Sequence, residues 1–156
     1  MIRDVLLHPH PLLTRRAEPA TDPGRVVADL LDTMRSFGHC VGIAAPQIGE
    51  SVRVAVVDCT GHRKAPDAHG ELILVNPVIV AAEGSEVGRE GCLSIPELTA
   101  NVRRATAIAV EAEGVRVEAE GFEARVLQHE IDHLDGLLFL DRVESLEADV
   151  FRRMRR

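Results

Sequence analysis

Gln128-His129-Glu130-Ile131-Asp132-His133-Leu134-Asp135-Gly136 carries His-Glu-x-x-His, and how this stretch folds decides the rest of the chain. Residues four apart share one helix face, so in a helix both imidazoles reach one metal ion. Glu130 is offset by about a third of a turn, close enough to handle the proton of a metal-bound water. A surface helix carrying two histidines by chance would show the same short motif. The remainder of the chain separates the two readings.

At 156 residues the chain is expected to form a single domain, 1–156, able to bury its own core. Hydrophobic residues make up 46% and charged residues 28%, which excludes a disordered or membrane-embedded class. A net charge of −7 argues against a general or sequence-specific nucleic-acid binder, which would be basic. With no Trp or Tyr and four Phe, no base-stacking surface is expected, and the core must come from Val, Leu, Ile and Ala. Cys40, Cys59 and Cys92 are odd in number and far apart, a poor disulfide framework. Met1–Pro9 lacks the basic and apolar regions of a signal peptide, and no stretch has the length of a membrane span. A cytoplasmic home with reduced thiols is the expectation, leaving cysteine available as a thiolate ligand.

Asp22-Pro23 signals a helix start, with Val26, Val27, Leu30, Leu31 and Met34 at helical spacing and Gly38 as its end. Val52–Asp58 and Leu72–Asn76 read as strands, the second closed by Pro77, with Thr60–Gly70 a solvated loop between them. Val78–Ala82 and Thr106–Ala112 are further strands, and Val115–Ala119 returns around Glu113-Gly114. Phe122–Leu134 is the motif helix. Ser145 caps a last short helix in which Leu146, Val150 and Met154 share a face. The order predicts an α+β fold whose mixed, mostly antiparallel sheets pack around a central metal-binding helix.

A catalytic metal usually has three protein ligands, so two histidines need a partner. Downstream acids are available: Asp135, Asp141, Glu144, Glu147 and Asp149. Upstream, Glu90-Gly91-Cys92-Leu93-Ser94 offers a thiol that read alone would be a small buried residue, but that completes a helix one ligand short. A Cys/His/His set suits Zn²⁺ or Fe²⁺. In Gly42-Ile43-Ala44-Ala45-Pro46-Gln47-Ile48-Gly49 the small residues let a substrate backbone approach, and the Gln47 amide can polarise a carbonyl; a plain turn explains the stretch equally well. His8, His10, His39 and His62 are scattered and receive no role.

Taken together, Cys40-Val41-Gly42-Ile43-Ala44-Ala45-Pro46-Gln47, Glu90-Gly91-Cys92-Leu93-Ser94 and Gln128 to His133 closely resemble, in that order, the three motifs of the peptide deformylases. The resemblance runs from about Pro9 to Arg142. It departs from the family pattern at Cys40, where the first motif has glycine, and in a short C-terminal tail.

The resemblance implies a hydrolase that removes the formyl group from N-formyl-methionyl peptides, releasing formate. It implies one divalent metal per chain on Cys92, His129 and His133, Fe²⁺ natively, with Zn²⁺ or Ni²⁺ able to occupy the same ligands. Glu130 is then the general base, and Gln47 with the backbone N–H of Leu93 stabilises the oxyanion. By position in the family pattern, Val41, Gly88, Phe122, Val126 and the His129 ring line the methionine pocket. Arg125 covers its mouth, and the peptide pairs with Gly42-Ile43 and Val87-Gly88. Arg104 is expected to bridge Glu90 and Asp132 behind the ligands. The terminal Arg152, Arg153, Arg155 and Arg156 read either as a complement to a helix dipole or as a contact with the ribosome. A hydrolase of another formylated small molecule, or a structural metal domain with four ligands, is the competing reading.

Overall fold

The computed structural model describes residues 1–153. Its framework is three separate three-stranded sheets with one long buried helix among them. The first sheet holds β1 (Gly42–Ala44), β2 (Val54–Asp58) and β3 (Glu71–Val75) in that order, all antiparallel. Val54–Val57 are all buried, as a central strand covered on both faces requires. Val54 and Val56 point toward α1 (Gly24–Ser36), packing with Leu30 and Met34, while Val57 joins Leu127 and Ile131 on the opposite side.

The second sheet orders β4 (Val78–Glu83), β7 (Ala107–Ala112) and β8 (Val115–Glu120). Ala112 pairs with Val115, so Glu113-Gly114 is a two-residue turn, and Gly114 supplies the positive φ of +72° that such a turn demands. Ile108, Val110, Val117 and Ala119 alternate inward and meet Leu127 and Val126. The third sheet orders β5 (Glu86–Cys92), β6 (Ile95–Arg104) and β9 (Val150–Arg152).

The motif helix, α2, spans Gly121–Leu134 and is buried on nearly every side. Its end is set sterically. Gly136 takes φ +76°, and a Cβ there would lie 2.7 Å from the Thr14 carbonyl oxygen.

The α+β architecture is as expected, and among the described residues the parallel component reduces to one bridge, Glu18–Val52. One expectation is corrected and one element is added. The hairpin of β5 and β6 was not foreseen, because Gly88, Gly91 and the charged Glu86, Arg89 and Glu90 hide its alternation. The last helix, α3, is one turn, Leu146–Asp149, capped by Ser145 as expected. Val150 instead starts β9, which pairs with Leu98–Ala100 of β6. Arg152 therefore ends a strand and Arg153 follows it, so the helix-dipole reading fails for these two; Met154, Arg155 and Arg156 lie outside the described residues.

Leu127 is fully buried where the first two sheets meet α2. Leu127→Ala should cost about 2–5 kcal/mol of unfolding free energy, measured by urea denaturation. A loss well below 1 kcal/mol would mean that this junction is not a packed core.

Candidate metal centre

The i, i+4 spacing puts His129 and His133 on one face of α2, their ring centroids 5.1 Å apart. Cys92 ends β5 at the tight Leu93-Ser94 turn, where the register shifts between Gly91 and Cys92. Its Sγ lies 3.4 Å from His133 Nε2. Ligand atoms of Cys92, His129 and His133 fall within 4.8 Å of one another, and all three residues are buried. The downstream acids are occupied elsewhere. Asp135 pairs with Arg53, Asp141 accepts from the Leu138 N–H, Glu144 pairs with Arg103, Asp149 accepts from the Ser145 N–H, and Glu147 is exposed.

Behind the ligands lies a buried ion network. Glu90 Oε1 accepts from His129 Nδ1 at 2.9 Å, which turns His129 Nε2 toward the centre. Arg104 holds Glu90 through two bonds of 2.9 Å and also reaches Asp132, so the expected bridge is present. Arg142 takes the other face of Asp132 at 2.9 Å. Burial opposes charge on Glu90, but Arg104 and His129 hold its carboxyl well below the usual carboxylate range. Burial likewise opposes charge on Cys92, yet the His133 and His129 rings draw its thiol well below the ordinary value. Thiolate is the form that binds metal. One thiolate with two imidazoles, converging with one ring already anchored through its far nitrogen, fits a divalent Zn²⁺ or Fe²⁺.

Cys40 is different. Burial pushes its thiol up to about 12, and it donates to the Gly42 carbonyl at 3.2 Å, a neutral hydrogen bond that leaves it outside the donor set.

Glu130 lines the cavity in front of the trio, and its Oε1 is buried without a hydrogen-bond partner among the described residues. Burial raises its carboxyl above the usual carboxylate value. It packs against bare backbone: a Cβ on Gly42 would lie 2.8 Å from Glu130 Oε2 and 3.0 Å from Val126 Cγ1. Gly42 is thus needed for space.

Gln47 sits in a 3-10 turn, Ala45–Ile48, that follows β1, so its stretch is more than a loop. The Ala44 N–H donates to Gln47 Oε1 at 3.0 Å, which only the oxygen end of the amide can accept. The amide nitrogen therefore faces the site, 3.1 Å from Ser94 Oγ and 3.5 Å from Cys92 Sγ. The N-terminal segment straps this arrangement from outside, Leu6 N–H bonding the Gln47 carbonyl and His8 N–H the Ser94 carbonyl.

The cavity measures about 250 Å³ and is bordered by Val41, Gly42, Leu93, Phe122, Val126 and His129. A larger recess of about 940 Å³, between the loop at residues 64–69 and the second sheet, shares no residue with it and holds none of the trio. Ile43 is fully buried in the α1 core, so only its backbone lies on the β1 edge. Arg125 borders the cavity, but its head turns inward to Glu90, the Val102 carbonyl and the Glu86 carbonyl. It anchors the sheet rather than covering a mouth. Gly88 yields space to this guanidinium, 2.9 Å from where its Cβ would be, and is not a cavity wall.

Sequence reading gave several residues here no place in the site. His62 stacks on Phe122 with centroids 4.2 Å apart. His69 holds the buried Glu123 through both its N–H at 2.9 Å and its ring. Arg89, Arg153 and His39 also border the cavity. Only Ser94, lying within the Cys92 motif, carried a usable signal.

The chain is similar over nearly its whole length to proteins of one family. A family model described as polypeptide deformylase matches residues 2–149. The peptide deformylase of Acidobacterium capsulatum is 38% identical over 100% of this chain and 95% of its own. That of Heliobacterium modesticaldum is 43% identical over 92% of this chain and 95% of its own. The crystal structure of a peptide deformylase from Legionella pneumophila superposes with a TM-score of 0.84 at 36% identity, covering 94% of this chain and 89% of that one.

Gly42→Ala should push the Glu130 carboxylate out of place and lower turnover roughly tenfold or more, while bound metal per chain stays at the parental level. Parental turnover would show that Glu130 can shift without loss.

Proposed function

This chain belongs to the peptide deformylase family, and we propose that Cys92, His129 and His133 hold its metal while Glu130, Gln47 and the Leu93 N–H carry the chemistry. It is a metal-dependent hydrolase that removes the N-formyl group from the formyl-methionine of newly synthesised polypeptides, releasing formate. The observation that best supports the residue roles is the convergence of three ligand atoms within 4.8 Å beside a buried, unpartnered Glu130 oxygen. Residues 1–156 act as one catalytic domain.

When bound, the divalent metal makes a water molecule acidic enough to lose a proton near neutral pH. Glu130 Oε1 takes a proton from the attacking water and delivers it to the amide nitrogen as the bond to the formyl carbon breaks. Gln47 Nε2 and the Leu93 N–H donate to the formyl oxygen as it gains charge, each worth roughly 3–4 kcal/mol by comparison with other such donors. Gln47 needs no reorganisation, because Ala44 already orients its amide.

Specificity follows from size. The formyl carbon carries only hydrogen, and the close packing of Glu130 and Val126 on Gly42 suits a site that excludes larger acyl groups. Val41, Phe122, Val126 and the His129 ring offer an apolar wall for the methionine side chain. Gly42-Ile43 on β1 and Val87-Gly88 on β5 lie on the edges of two different sheets, so the peptide binds extended between them, adding its backbone to a strand edge.

Among the described residues no helix is long and apolar enough to cross a membrane. The enzyme works in the cytoplasm, where formylated chains leave the ribosome, and the exposed Arg152 supports a contact with ribosomal RNA there. Fe²⁺ is the native metal that the family resemblance implies, and the same thiolate and two imidazoles also accept Zn²⁺ and Ni²⁺.

Two variants measured for both metal content and formate release test the roles together. Glu130→Gln should keep its metal yet lose about a hundredfold or more of turnover, whereas Cys92→Ser should lose the metal itself on dialysis, as a hydroxyl replaces a soft thiolate. Parental metal content in Cys92→Ser, or more than about a tenth of parental turnover in Glu130→Gln, would break the assignment. For the metal's identity, protein purified without air should contain iron by elemental analysis and lose activity under oxygen faster than a Ni²⁺-loaded sample. Matching decay curves would count against iron.

A further inference from the structure

The mouth of the cavity carries positive charge that the deformylation chemistry does not use. Arg153 follows β9, held by its N–H to the Glu97 carbonyl at 2.8 Å. Its guanidinium points Nη2 at Gly91, next to the metal-ligand candidate Cys92, into the space that a Cβ on Gly91 would take. Arg89 stands beside it on β5. Its Nε donates to Asn101 Oδ1 at 3.1 Å and its Nη1 to Thr99 Oγ1 at 3.3 Å, and its Cζ rests 3.9 Å from the centroid of the Phe151 ring. Phe151 pairs with Thr99 across β6 and β9, so the terminal strand itself fixes this guanidinium.

Both cations border the cavity, and among the described residues neither pairs with a carboxylate. By contrast, Arg103 and Arg116 on the surface pair with Glu144 and Glu111. The two acids that line the cavity cannot neutralise them. Glu90 is committed to Arg104 and Arg125, and Glu130 lies at the floor with 4% of its surface exposed. Arg89 is held only by neutral acceptors and an aromatic face, which position it without quenching its charge. Its side-chain entropy is thus largely lost before a ligand arrives, which favours binding.

We propose that Arg89 and Arg153 form a cationic rim that selects formyl-methionyl peptides bearing a carboxylate on the second or third residue. The proposal rests on the deformylase reading, because it takes the methionine as seated in the cavity. An extended chain advances about 3.3 Å per residue, so the next two residues pass directly over Gly91 and its flanking guanidinia. A planar guanidinium matches a carboxylate through two parallel hydrogen bonds. On a chain of net charge −7, the local cations also draw acidic peptides to the one face that can process them.

The test compares kcat/KM for formate release from formyl-Met-Ala-Glu-amide and formyl-Met-Ala-Gln-amide, and from the matching pair with Glu or Gln in second place. The parent enzyme should favour one Glu peptide by about threefold to fivefold at low ionic strength. That preference should shrink in about 0.5 M salt, where the screening length falls to a few ångströms. Arg153→Gln and Arg89→Gln should each move the ratio toward one, through KM rather than kcat, and Arg153→Glu should invert it. Equal ratios in the parent and both glutamine variants overturn the proposal, even if overall activity falls. Absence of formate from every peptide with the parent would instead overturn the deformylase reading beneath it.

Discussion

A single buried carboxylate, that of Glu90, ties the parts of the site together. It receives Arg104 from β6, Arg125 from α2 and the His129 ring from α2, all from its own place on β5. Taking a carboxylate out of water costs several kcal/mol unless its lone pairs are filled with good geometry, and here they are. Because Glu90 sits two residues before Cys92 and bonds directly to His129, the interaction that satisfies it also ties the Cys92 strand to the His129 helix. Arg104 continues the chain to Asp132, and Arg142 closes it. These acids and guanidinia stand or fall as a unit, since losing one leaves its partners charged and buried.

Where the polar network sets Cys92, His129 and His133, the sheets set the approach. Three small sheets leave more open edges than one large sheet would, and an exposed edge is normally a liability for pairing with other chains. Here β1 and β5 are edges of different sheets, and both lead to the cavity. Glycine recurs on both, each time for space: Gly42 admits the Glu130 carboxylate, Gly88 the Arg125 head and Gly91 the Arg153 guanidinium. Close backbone approach therefore recurs at Gly42 and Gly91, both on the cavity, and at Gly88 behind it.

Net charge and local charge diverge in this molecule. The total is strongly acidic, yet arginine heads cluster around the third sheet, three of them inside the network behind the ligands and two at the cavity mouth. Overall charge governs solubility and encounter with other macromolecules, whereas a cleft responds to the groups that line it. An acidic chain can therefore carry a basic rim.

The local geometry was legible in the sequence by itself: His129 and His133 at helical spacing, Glu130 beside them, Cys92 in a short motif, the capping Ser145, and the Glu113-Gly114 turn. Each depends on residues a few positions apart, where helix and turn geometry fix what can meet. Only the tertiary structure decided what depends on distant partners. The hairpin of β5 and β6 was hidden because Arg104 points inward, toward Glu90 and Asp132, where alternation would count an arginine as outward. Val150 looked like the next turn of a helix until β6 offered it a strand to pair with. Arg125 read as a solvent-facing cover and became a buried anchor once three acceptors surrounded it. Arg153 reaches the cavity only because β9 folds back across some fifty residues of chain, and a pairing of that span leaves no periodic trace near the residue it positions.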